Sequence, residues 1–116
     1  NSMTILYGIK NCDSVKKARQ WLEQHQISYQ FHDFRSDGLS AHQVSIWVEL
    51  LGWERLINKR STSWKALDDD VKRAMSATTA IAAILTSPTL IKRPLLATRT
   101  QLIVGFKDAN YQALLL

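Results

Sequence analysis

The sequence has little of what builds disulfide-bonded, membrane-spanning or nucleotide-cradling proteins. Its 116 residues include a single cysteine, Cys12, two prolines and four glycines. One thiol cannot close an internal disulfide, which fits a reducing compartment, so the expected location is the cytoplasm. The most apolar stretch, Ala80 to Leu85, is far too short to cross a bilayer, and Pro88 halts it soon after. No basic-then-apolar segment opens the chain, so no secretory signal is expected. Asn1 and Ser2, ahead of Met3, read as an expression remnant. Gly8 is a lone glycine without the pattern of a phosphate-binding loop. His25, His32 and His42 have no metal-ligand spacing with Cys12, so no metal site and no bound cofactor are expected. Val15 stands three residues after Cys12, which excludes a C-x-x-C dithiol cycle.

What is present is ordinary for a globular protein: 46% hydrophobic and 22% charged residues, enough for one compact domain. The net charge of +5 raises the question of nucleic acid. The cations, however, are spread from Lys10 to Lys107 and form no aromatic-interleaved basic stripe. A basic surface that attracts small anionic ligands is the better reading, with no nucleic-acid or membrane partner and a monomeric state.

Hydrophobic patterning orders the chain. "TILYG" (residues 4–8) is a buried strand bounded by Gly8. From Ser14 the period changes to that of a helix, with Val15, Ala18, Leu22 and His25 on the inner face and Trp21 beside them. Residues 28–34 alternate as a second strand. Ser40 and Gln43 form a capping-box pair, with Leu39 stapled onto Val44, and start a helix that Gly52 terminates. Asp68, Asp69 and Asp70 open a further helix with Lys72 and Arg73 behind them, as the macrodipole prefers. A short apolar helix follows over about 79–85. "PLLAT" and "QLIVGF" are strands separated by Arg99 and Thr100. A closing helix, capped by Asp108, turns Tyr111, Leu114 and Leu115 inward. The fold class is α/β: a thioredoxin-like mixed sheet (β-α-β, then β-β-α) in a single domain over residues 3–116. A helical insertion at about 40–86 separates the two halves.

Cys12 lies in a polar loop between Asn11 and Asp13, at the strand-to-helix junction where open α/β sheets bind ligands. One or two residues before the first helical turn, unpaired N–H groups and the positive end of the dipole favour a thiolate, and Lys10 and Lys16 add to this. Asp13 opposes it as a neighbouring carboxylate and as a competing helix cap. The expectation is a moderately activated thiol.

The segments "YGIKNCDSVKKARQWL", "NKRSTSWKAL", "PTLIKRPLLA" and "LIVGF" resemble successive signatures of the arsenate-reductase (ArsC) family, in particular its YffB subgroup. The resemblance covers nearly all of Met3 to Leu115. It implies a catalytic cysteine at Cys12 and an Arg-Pro element at Arg93 and Pro94 similar to the cis-proline loop of thioredoxin folds. A cis bond is plausible there because X-Pro alone tolerates it at low cost. The family's "LLRKN" arginine falls near Asn58, leaving Arg60 as a substitute, and its late arginine falls near Phe106 or Lys107. These departures count against arsenate as substrate. The resemblance therefore implies a monothiol reductase in which Cys12 forms an adduct or mixed disulfide that an external thiol resolves. Lys10, Asn11, Arg60, Arg93 and Pro94 are the expected binding residues, glutathione the expected co-substrate, and glutaredoxin a further redox partner. Spx-type regulators, which contact RNA polymerase without catalysis, resemble the family too. Their switch uses a C-x-x-C pair that Val15 replaces here.

Overall fold

A computed structural model describes residues 4–98 and 101–116. In chain order its first elements are β1 (Ile5–Gly8), α1 (Asp13–Gln24), β2 (Gln30–Asp33), α2 (Ala41–Leu51), α3 (Trp53–Leu56) and α4 (Thr62–Lys65). Then come α5 (Asp69–Arg73), α6 (Ala77–Thr86), a 3-10 turn (Pro88–Leu90), β3 (Leu95–Ala97), β4 (Leu102–Val104) and α7 (Asp108–Leu115). They fall into two compact units. One takes the residues up to Asp37 and from Arg93 onward, and the other spans Gly38–Lys92.

The first unit is built on a four-stranded sheet in the order β2-β1-β3-β4. β1 and β2 run parallel, which requires the crossover that α1 supplies, whereas β3 pairs antiparallel with both β1 and β4. The mixed, thioredoxin-like α/β class expected from the patterning is the one observed. Register sets the faces. Leu6 lies opposite Phe31 and Leu96, and Gly8 opposite Asp33, so these five side-chain positions share one face. Val15, Ala18, Trp21 and Leu22 of α1 and Tyr111 of α7 close over Leu6 and Leu96 in one apolar cluster. Burying a side chain such as Leu6 or Leu22 contributes roughly 1.5–3 kcal/mol. Tyr111 meets Trp21 and Phe106 edge-on, with centroids 5.4 and 4.9 Å away. Burial pushes its phenol well above the ordinary tyrosine range.

Gly8 sets how closely α1 approaches the sheet. A Cβ there would stand 2.6 Å from Val15 Cγ2, inside any tolerable contact, so the strand-to-helix junction depends on its absence.

Several details differ from the sequence expectation. His25, expected on the inner face of α1, is exposed: it is the C-cap, one residue past the last helical residue Gln24. Its ring stacks on Trp21 at 4.0 Å and Nδ1 lies 2.9 Å from the Trp21 carbonyl oxygen. The closing helix is capped at Lys107 and not at Asp108, which sits inside the first turn and accepts from Gln112 Nε2. The turn at Arg99 and Thr100 lies outside the described residues. On either side of it, the Thr98 N–H donates to the Gln101 carbonyl at 2.9 Å.

In the Gly38–Lys92 unit, Ser40 Oγ accepts the Gln43 N–H at 3.1 Å as expected, and Val44, Trp47 and Val48 form the buried stripe of α2. Gly52 takes φ +82 and leads directly into α3, which the sequence reading missed together with α4. Four-residue helices carry too few periods to register as a pattern. The apolar helix is longer than its expected 79–85, since Ser76 and Thr79 form a reciprocal capping box that starts it at Ala77. Threonine in place of the usual Glu or Gln hid that signal. Among the described residues no helix is long and apolar enough to cross a membrane.

Candidate active site

β1 ends at Gly8 and the chain reaches α1 through Ile9, Lys10, Asn11 and Cys12. Four hydrogen bonds donated by backbone N–H groups define this loop. The Phe34 N–H donates to the Gly8 carbonyl at 2.9 Å and the Cys12 N–H to the Ile9 carbonyl at 3.2 Å. The Lys10 N–H donates to Asp33 Oδ2 at 3.3 Å, and the Lys16 N–H to the Cys12 carbonyl at 3.0 Å. That last bond makes Cys12 the N-cap of α1, with extended φ −99 and ψ 126. The helix therefore starts one residue earlier than expected. Asp13, expected to compete as a cap, is instead its first helical residue, and no side chain caps the helix.

Cys12 is partly buried and packs against the cluster of Leu6, Val15 and Tyr111, while Lys10 and Asn11 are exposed. Cys12 holds the residue position where Ser or Asp would offer an oxygen to the N–H groups of the first turn, but its side chain makes no such hydrogen bond. Those groups and the positive end of the dipole would favour an anion at this position.

β1 and β3 run antiparallel, with Tyr7 opposite Leu95. The residues after Tyr7 and those before Leu95 therefore share one end of the sheet. That end holds both the Cys12 loop and the Arg93-Pro94 element, whose peptide bond is cis. Pro94 is buried, its carbonyl accepting the Gly105 N–H at 2.8 Å, and Arg93 is half-buried. Among the described residues the one salt bridge joins Arg73 and Asp70, so Lys10, Arg60 and Arg93 make none there. Arg60 belongs to the other unit. It is exposed, and its N–H donates to Asn58 Oδ1 at 3.0 Å.

The residue that sequence reasoning missed is Asp33. It is 5% exposed, and its Oδ1 accepts the N–H groups of Arg35 (2.7 Å) and Ser36 (3.3 Å) while Oδ2 takes that of Lys10. Burial pushes its carboxyl up. The backbone donors of Arg35, Ser36 and Lys10, with the Lys10 charge, outweigh this and hold it below the ordinary value. An Asp ending a strand within "DFRSD" is the signature of an Asx-type turn and was the available clue.

The sequence profile described as "ArsC family" matches residues 7–114. The chain belongs to the ArsC family. A solved protein named YffB superposes with a TM-score of 0.94 at 38% identity, covering 98% of this chain and 100% of that one. An arsenate reductase (ArsC) related protein from Brucella melitensis is 42% identical, with a TM-score of 0.79 over 97% and 93% of the two chains. The global transcriptional regulator Spx of Lactiplantibacillus plantarum is 31% identical over 91% of this chain and 81% of its own length. The ArsC membership and the reductase-related neighbours support a protein of the thiol-reductase kind.

Proposed function

We propose that this ArsC-family protein is a glutathione-dependent monothiol reductase whose nucleophile is Cys12. The observation that carries the reading is the uncapped start of α1, with a thiol at the N-cap position and the Arg93-Pro94 element at the same end of the sheet. In the proposed cycle the Cys12 thiolate attacks one sulfur of a substrate disulfide. The Cys12–substrate S–S bond forms, the original S–S bond breaks, and the other half leaves as a thiolate that takes a proton from water. A glutathione thiolate then attacks the mixed disulfide. It forms a glutathione–substrate disulfide and expels Cys12 as thiolate. A second glutathione thiolate attacks the glutathione sulfur of that disulfide, releasing the substrate as thiolate and forming oxidised glutathione, so the two reducing electrons come from two external thiols. Position 15 provides no resolving thiol, since it is valine and its side chain is fully buried against Gly8. Lys10, Asn11 and Arg93 are the groups proposed to receive the carboxylates of glutathione, with glutaredoxin as an exchange partner.

A coupled assay following glutathione-dependent reduction of a small mixed disulfide tests the cycle. Turnover that disappears in Cys12→Ser and weakens mainly in KM in Arg93→Ala is the expected result. A protein that shows no turnover with any glutathione disulfide contradicts it. The kinship with Spx favours a second reading, a regulatory module that binds RNA polymerase. Retention of the polymerase on the immobilised protein, unchanged by Cys12→Ser, is its distinguishing outcome.

A further inference from the structure

We propose that Asp33 is a positioning residue that holds the Cys12 loop against the sheet by clamping the Lys10 amide. The inference rests on the reading of Cys12 as nucleophile.

Asp33 is buried, and a buried carboxylate is tolerated only when its oxygens are hydrogen-bonded. Here the two oxygens serve different segments. Oδ1 binds the turn after β2 through Arg35 and Ser36, and Oδ2 binds the loop after β1 through Lys10. Register puts Asp33 opposite Gly8, on the face where Val15 of α1 approaches, so the carboxylate lies beneath the junction that carries Cys12. The two segments differ in their other support. The turn is also closed by the Asp37 N–H donating to the Asp33 carbonyl at 2.9 Å and the Asp33 N–H to Asp37 Oδ2 at 3.0 Å. Among the described residues the loop between Gly8 and Cys12 has one other bond within it, from the Cys12 N–H to the Ile9 carbonyl, and is tied at its two ends by Phe34 to Gly8 and Lys16 to Cys12.

This explains why an acid stands at a buried position. A carboxylate accepts on both oxygens, whereas asparagine has one acceptor and one donor group. Asn at 33 can satisfy Arg35 and Ser36 with its oxygen, but it then turns its amide donor toward the Lys10 N–H. Asp33→Asn is thus a selective lesion that keeps the turn and frees the loop two residues before the nucleophile. Misplacement of a reacting group by about 1 Å costs up to about a hundredfold in rate.

Three measurements test the inference. Hydrogen exchange of the wild-type amides comes first, with Lys10 expected to exchange more slowly than Asn11, which has no acceptor among the described residues. Free exchange at Lys10 overturns the proposal without any variant. Next comes mixed-disulfide formation between Cys12 and oxidised glutathione in Asp33→Asn, expected to slow about tenfold or more. Alkylation by iodoacetamide, which needs exposure but no docking, is expected to hold or rise. General loosening speeds both reactions, so opposite responses isolate positioning. A folded Asp33→Asn protein with the wild-type glutathione rate overturns the proposal. If the wild-type protein forms no adduct at all, the reading of Cys12 has failed, and the Lys10 exchange rate still reports on the clamp separately.

Discussion

Two helices begin in contrasting ways. At α6, Ser76 and Thr79 satisfy each other's backbone N–H groups in a full capping box, on an exposed helix start with no candidate chemistry nearby. At α1 the cap position holds Cys12 and no side chain answers the first-turn donors. The same local rule is followed at one end and suspended at the other. Capping is worth about 1 kcal/mol, a sizeable share of the net stability of a small domain. A start left uncapped beneath a thiol fits a place where the donors serve an anion that comes and goes. The loop is held instead from below, by the Asp33 clamp and by the close approach of Val15 to Gly8.

The largest effect is expected at that support. Gly8→Ala forces a methyl into Val15 and is predicted to cost about 1–3 kcal/mol, measured by urea unfolding, with slower modification of Cys12. Ser76→Ala breaks the box at α6 and is predicted to cost about 1 kcal/mol while leaving the Cys12 rate at the wild-type value. A change in that rate would erase the distinction between the two starts. Cys12→Ser supplies the missing oxygen, so amide exchange in the first turn of α1 should slow by about 0.5 kcal/mol in opening free energy. Unchanged exchange would show that the donors are not available to an acceptor at position 12. The smallest effect is on acid stability. The carboxyl of Asp33 titrates lower folded than unfolded, so its stabilisation is complete above about pH 4 and is lost as the pH falls through the folded value. Asp33→Asn should therefore unfold with a shallower acid limb below about pH 4, read by circular dichroism.

How much was readable in advance follows from what each feature depends on. β1, α1, α2 and the late pair of strands announce themselves through periodicity, and Ser40 through its cap, because those signals lie within a few residues. The cis bond at Arg93-Pro94 was expected from the resemblance and not from the residues alone. Asp33 was invisible as a site residue because its role needs Lys10, 23 positions away, brought alongside by the parallel pairing of β1 and β2. His25 differs for a local reason: its spacing continues the apolar stripe, but at the C-cap it lies beyond the packed cluster that ends with Leu22 on α1. The short helices α3 and α4 were lost in a segment where turns and half-buried tryptophans dominate, with Lys59 lying 5.4 Å from the Trp53 ring and 5.8 Å from that of Trp64.

The central claim is that the sulfur at the start of α1 is chemically available and not a packing atom. Intact-mass analysis of the folded protein after exposure to oxidised glutathione at neutral pH tests it most directly. The account predicts one glutathionyl group per chain, located at Cys12 and removed by excess reduced glutathione. A protein that stays unmodified while folded, and reacts only once unfolded, would contradict it.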